Sequence, residues 1–160
     1  MWQGTVDSVY IGPRAKEPMQ RVDEVKAVAG RGLEGDRYFN LGGSFSEDEH
    51  LPKREVTLIE AESLEAAGAE AGVQLDPADS RRNIVTRGVP LNHLVDTEFS
   101  VGEVRLRGIK LAEPCAHLAR VAGKGLLKPL IHRAGLRAQI LNDGVIRSGD
   151  TVRVAPYRPA

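Results

Sequence analysis

Phe99-Ser100-Val101 and Val104-Arg105-Leu106-Arg107-Gly108-Ile109 alternate apolar and polar residues on either side of Gly102-Glu103. This is the pattern of two half-buried strands joined by a tight turn. The second strand runs directly into Glu113-Pro114-Cys115-Ala116-His117-Leu118, which carries the chain's single cysteine. Proline suits the first turn of a helix, so Cys115 is expected where a strand becomes a helix, among unpaired backbone N–H groups at a positive helix end. A thiol placed there loses its proton more readily, and the thiolate attacks electrophiles and binds soft metals. The competing reading is a small buried hydrophobe, the usual state of a free cysteine.

Upstream, Thr5 to Ile11 alternates in the same way, and Arg21 to Val28 is a second candidate strand. Gly30-Arg31-Gly32-Leu33-Glu34-Gly35-Asp36-Arg37 reads as a loop that spells G-x-G-x-x-G. The dinucleotide fingerprint must open a helix, and Tyr38-Phe39-Asn40-Leu41-Gly42-Gly43 does not, so a Rossmann reading is rejected. Gly42 to Pro52 is a polar surface excursion in which Glu47-Asp48-Glu49 is most simply a solvated patch. Glu55 to Ile59 is a strand, Glu60 to Ala71 an alanine-rich amphipathic helix, and Arg81 to Thr86 a strand with polar side chains at its entrance. Beyond the cysteine, Ala116 to Ala122 and Leu126 to His132 read as short helices, and Leu136 to Leu141 and Thr151 to Val154 as strands. Asn142-Asp143-Gly144, ahead of Val145-Ile146-Arg147, is the best hairpin signal in the chain. Many short strands with three short helices predict a mainly β fold with some α, a β-rich α+β curved or closed barrel with peripheral helices.

The 160 residues are enough for one ordinary domain and short for two, so residues 1–160 are expected to form a single unit. Lys+Arg and Asp+Glu balance at 22 each, which gives no global basic field for nucleic acid. A lone cysteine excludes an intrachain disulfide and fits a reducing cytosol. No stretch approaches the roughly 18 consecutive apolar residues of a membrane span, and the expected location is the cytoplasm.

Histidines 50, 93, 117 and 132 form no His-x3-His pair and there is no Cys-x2-Cys, so no zinc motif exists. His117, two residues after Cys115, points to a different side of a helix and reads as a packing or capping residue. Ser63, Ser80, Ser100 and Ser148 lack a nucleophile elbow, and there is no phosphate loop. Arginines 31, 37, 81, 82 and 133 are the other notable set. Guanidinium forks grip phosphate and carboxylate, so arginines converging near a thiolate suggest an anionic ligand, whereas each taken singly belongs on a solvated face. Asn83, in a buried strand, requires hydrogen-bond partners.

Four motifs in order resemble those of the MOSC domain, the C-terminal domain of molybdenum cofactor sulfurases, which also occurs as small standalone bacterial proteins and in amidoxime-reducing enzymes. They are Gly32-Leu33-Glu34-Gly35-Asp36-Arg37-Tyr38, Arg81-Arg82-Asn83-Ile84-Val85 with Gly88 and Leu91, Cys115, and His132 to Ala138 continuing to Gly144-Val145-Ile146-Arg147-Ser148-Gly149-Asp150-Thr151-Val152. The resemblance implies a β-barrel-like fold and the molybdenum cofactor, a molybdopterin. Cys115 matches the family cysteine that ligates molybdenum or carries a persulfide. Arg81 and Asn83 match positions contacting the pyranopterin phosphate region, Asp36 and Arg37 line the same cleft, and Arg133 matches a basic position in the last motif. The implied function is an oxidoreductase acting on N-hydroxylated compounds. The alternative is a sulfur-carrier or cofactor-sulfuration module with Cys115 as the persulfide site. Implied partners are a small-molecule substrate and a redox partner or cysteine desulfurase, with no nucleic acid and no membrane. Tyr38 stands where relatives often have histidine, and Arg133-Ala134-Gly135 lacks the frequent double glycine.

Overall fold

The structure is a computed structural model that describes residues 1–41, 50–114 and 128–154. The expected helix from Ala116 to Ala122, and Cys115 itself, lie outside the described residues. The strands are β1 (Gly4–Ile11), β2 (Gln20–Val22), β3 (Glu24–Val28), β4 (Gly32–Leu33), β5 (Val56–Glu60), β6 (Ile84–Arg87), β7 (Glu98–Val101), β8 (Val104–Leu111), β9 (Leu136–Ile140), β10 (Gly144–Arg147) and β11 (Thr151–Val154). The α-helix among the described residues, α1 (Ala61–Ala71), lies between β5 and β6. Strands β11, β7, β8, β9, β5, β6 and β1 pair in that order, and β1 pairs back onto β11, closing the barrel. Every pairing in the ring is antiparallel except β5–β6, which runs parallel and uses α1 as its crossover. β2 takes the edge of β1 beyond the point where β11 leaves it.

Alternation along β1 changes phase at a bulge between Val6 and Ser8. Val6 and Val9 therefore both face the barrel interior, with Leu58, Ile84, Phe99, Leu106, Leu136 and Ile140, while Tyr10 faces outward. There Tyr10 joins Ile59, Val85 and the buried stripe of α1, Ala61 and Leu64. The helix ends on Gly72, whose φ of 69° is the left-handed cap conformation that glycine adopts without Cβ strain.

Three sequence expectations change. The stretch Arg21 to Val28 is two strands, because β2 pairs with β1 whereas β3 pairs with β10 and β4 in a second sheet. Asn142-Asp143-Gly144 makes no hairpin: β9 belongs to the barrel and β10 to the second sheet. Asn142 accepts from the Arg105 N–H and donates to the Glu103 carbonyl, while Asp143 accepts from the Ala29 N–H, so the turn is set by neighbours rather than by its own strands. Residues 128–133 are turns and not the end of a helix. No helix among the described residues is long and apolar enough to cross a membrane.

The second sheet is tied to the barrel by one buried carboxylate. Glu55 Oε1 accepts from the Gly30 N–H (3.2 Å) and from the Ile140 N–H (3.1 Å). Burial pushes the Glu55 carboxyl above its ordinary value of 4.5, against the pull of those two bonds and of His50. The folded state thus favours the neutral form. Stability from this group is fully present below 4.5, the unfolded value, and is lost as pH rises through the higher folded value. Glu55→Gln keeps an acceptor oxygen without the charge. It is expected to match or exceed the wild type in urea resistance at pH 7, with the advantage disappearing as pH falls to 4.5. Denaturant titrations across that range check this; an advantage that does not change with pH would contradict it.

Candidate functional site

Asp36, Arg37, Arg81, Arg82 and Asn83 are polar or charged yet no more than 8% exposed, and buried polar groups need partners. Asn83 precedes β6 and uses its whole amide. Oδ1 accepts from the Thr57 N–H and the Thr57 hydroxyl (3.1 Å each), and Nδ2 donates to the Tyr10 carbonyl (3.2 Å) and to Asp36 Oδ1 (3.4 Å). Asp36 also accepts from the Gly12 N–H (2.8 Å), the Tyr38 N–H (3.3 Å) and Arg37 Nη1 (3.4 Å). A Cβ on Gly12 would collide with Arg37 Nη1 and Met19 Sδ, so only glycine lets the guanidinium lie over this backbone. Asp36 and Asn83 thereby lock the turn after β4 to β1, β5 and β6.

Arg81 takes φ of 60°, a left-handed conformation costing an arginine about 1 kcal/mol, between the 3-10 turn Pro77–Ser80 and β6. The two arginines then engage different elements. Arg81 Nη1 donates to the Glu17 carbonyl (2.5 Å), while its Nη2 is buried with no hydrogen-bond partner. Burial first, and then the Arg37 guanidinium, pulls Arg81 below the ordinary arginine range, with Tyr38 and Asp36 acting the other way. Arg82 Nε donates to the Ala134 carbonyl (2.7 Å) and Nη2 to the Ala112 carbonyl (3.1 Å).

Ala112 and Ala134 flank residues 115–127 in the chain, so Arg82 joins the two stems of the segment that carries Cys115. The Ala112 N–H donates to the Gly135 carbonyl (2.8 Å), and Glu113 pairs with His132 Nδ1 (2.7 Å). Arg133 lies on the later stem and pairs with Glu70 of α1 (2.7 Å). Arg31 stacks over the Phe39 ring at 3.9 Å. The structure therefore brings Arg81, Asn83, Asp36 and Arg37 together, sets Arg133 against α1, and leaves Cys115 and His117 outside the described residues. A hollow of about 300 Å³ lined by Tyr10, Met19, Arg21 and Ala78 abuts the cluster through Tyr10 and Met19. Among the described residues no group of three or more His, Cys, Asp or Glu side chains could hold a metal ion.

The MOSC domain profile matches residues 39–153. The chain belongs to the MOSC domain family. That family is associated with the molybdenum cofactor. Among solved structures, this MOSC domain resembles the YuaD protein from Bacillus subtilis (17% identity, TM-score 0.75, covering 99% of this chain and 100% of that one). It also resembles YiiM from Geobacillus stearothermophilus (15%, TM-score 0.71, covering 96% and 75%) and YiiM from Escherichia coli (18%, TM-score 0.70, covering 99% and 72%). At such identities the likeness concerns the fold. No curated relative matches the sequence significantly. The profile begins after Asp36 and Arg37, and Asp36 joins the middle motif through its bond from Asn83.

Two residues of this constellation carried no assignment from sequence. Thr57 looked like an ordinary strand position, and Arg82 was one arginine in a set. The signal for Arg82 is available only in three dimensions, where its two acceptors come from segments 22 residues apart, Ala112 and Ala134.

Proposed function

We propose that this MOSC domain binds the molybdenum cofactor and reduces N-hydroxylated compounds, with Cys115 as thiolate ligand to molybdenum. The observation that supports a cofactor is the buried, unpartnered Nη2 of Arg81 beside the Arg37 guanidinium. Asp36 pairs with Arg37 alone, Arg81 is held by the Glu17 carbonyl, and an unpaired buried donor beside a second guanidinium suits an anionic oxygen such as a phosphate's. The residues present fit the group: Arg81 and Arg37 would hold its phosphate end, with Arg37 held by Asp36, Asp36 tethered by Asn83, and Arg81 held by the Glu17 carbonyl. Arg133 would reach the cofactor only by giving up Glu70, so its part is to steady the later stem against α1. When bound, the metal supplies the oxygen-atom chemistry. The chain supplies a soft ligand, a rigid anion grip, and stems fastened by Arg82 and by the Glu113–His132 pair.

Metal analysis after expression in a cofactor-competent host tests this. Wild type is expected to carry molybdenum, Cys115→Ser to lose it, and Arg81→Lys, which keeps the charge but not the fork, to retain about tenfold less. Wild type devoid of molybdenum would overturn the proposal. If a desulfurase then loads one sulfur atom onto Cys115, read by intact mass, the persulfide role takes its place.

A further inference from the structure

A second group of cations, built on other residues than Arg81 and Arg37, sits on the outer wall of the barrel. The register of β8 against β9 shifts between Gly108 and Lys110, so that two residues of β8 answer one of β9. Gly108 stands opposite Ala138, and Lys110 stands opposite Arg137. Without the extra residue, Ile109 would face Arg137. A bulge that re-aims a side chain in this way is a built feature, and here it sets lysine against arginine, a like-charge pairing that works against the sheet. The 3-10 turn Pro52–Arg54, carrying Lys53 and Arg54, packs on the same two strands. Lys110 is exposed, and slight desolvation first, then the charges of Lys53, Arg137 and Arg54, pulls its ammonium below the ordinary lysine range.

Elsewhere on the surface several arginines are paired with carboxylates. Arg87 meets Glu65 and Asp7, Arg105 meets Glu98, Arg133 meets Glu70, and Arg147 meets Glu24 and Glu103. Among the described residues no lysine forms an ion pair, Lys53 and Lys110 included, while Arg54 and Arg137 are held by contacts of their own. Four cations from three elements in a small area fit a compact polyanion. A long acidic partner would call for a basic face more extended than these four positions.

We infer that Lys53, Arg54, Lys110 and Arg137 form a binding site for a phosphate group, free or carried on a larger molecule, at the end of β8 that leads to Cys115. The inference does not rest on the molybdenum reading, and its test uses the full chain without metal. Inorganic pyrophosphate is titrated calorimetrically into wild type at constant ionic strength. The Arg81–Arg37 pair can take the same ion, so the event assigned to this site is the one weakened at least about tenfold in Lys53→Gln/Lys110→Gln and unmoved by Arg81→Lys. Without phosphate, Lys110→Gln is expected to unfold at the same temperature as wild type or higher, because a like-charge contact is gone. An alkyl phosphomonoester binding more tightly than orthophosphate marks a carried group and equal affinities mark free phosphate; either ordering upholds the site. Heat no greater than the sodium chloride control, wild-type affinity in the double variant, or a Lys110→Gln variant less stable than wild type would each overturn it.

Discussion

Arg82→Ala is expected to lower stability by about 3–5 kcal/mol in urea denaturation, among the largest single-residue effects in this chain. Its guanidinium is buried, and removing it abandons two carbonyl acceptors, Ala112 and Ala134, each worth about 1–3 kcal/mol when left unsatisfied in the interior. The truncation also opens a void behind β6, which adds to the loss. Arg82→Lys separates fork from charge, since one ammonium on a flexible stem cannot serve two acceptors held by different segments. It is expected to recover part of the stability while leaving the stems loose. The Ala112 N–H, bonded to Gly135 at 2.8 Å, reports on that directly: its hydrogen exchange should quicken at least about tenfold in Arg82→Lys. A loss below about 1 kcal/mol in Arg82→Ala would show the arginine to be a bystander.

The fate of Arg82 illustrates how far the sequence could be read. Alternation in Phe99–Val101 and Val104–Ile109 identified β7 and β8 because each of those strands has one face on the core, and the period of two is imposed by that burial. The alanine-rich helix was legible for the same reason. Arg21 to Val28 reads as one strand although its alternation slips at Asp23-Glu24, and there the Asp23 carbonyl accepts from the Ser148 N–H and the chain changes sheets. The Asp-Gly turn signalled a hairpin from local propensity, and the side chains of Asn142 and Asp143 found long-range partners instead. Local patterns report which face is buried; they do not report which strand lies alongside. For the site, Arg81-Arg82-Asn83 could be recognised as a unit, but the directions of its three side chains could not. The left-handed turn at Arg81 breaks strand alternation just where it would have been used to place them.

Asn83→Ala is expected to cost about 2–4 kcal/mol and to disturb the arginine cluster without touching it. The wild-type amide satisfies the Thr57 N–H and hydroxyl, the Tyr10 carbonyl and one oxygen of Asp36. Alanine leaves all of these to find other partners in a region that excludes water. The backbone bonds of Asn83 to Tyr10 and Thr57 survive, so β6 stays in register and the loss remains within the range of a buried polar deletion. Asp36 then keeps Gly12, Tyr38 and Arg37 but loses its tether to β6. The turn that presents Arg37 beside Arg81 is freed on one side. Asn83→Asp makes the contrasting variant: it retains the acceptor for Thr57, loses the donors to Tyr10 and Asp36, and sets a second carboxylate against the first. If Arg37 and Arg81 are a grip for an anion, Asn83→Asp should cancel it by supplying an anion from the protein. Molybdenum content should then fall further in Asn83→Asp than in Asn83→Ala even though the aspartate variant preserves more of the wild-type contacts. The opposite ranking, with occupancy simply following stability, would mean that Asn83 serves the barrel alone.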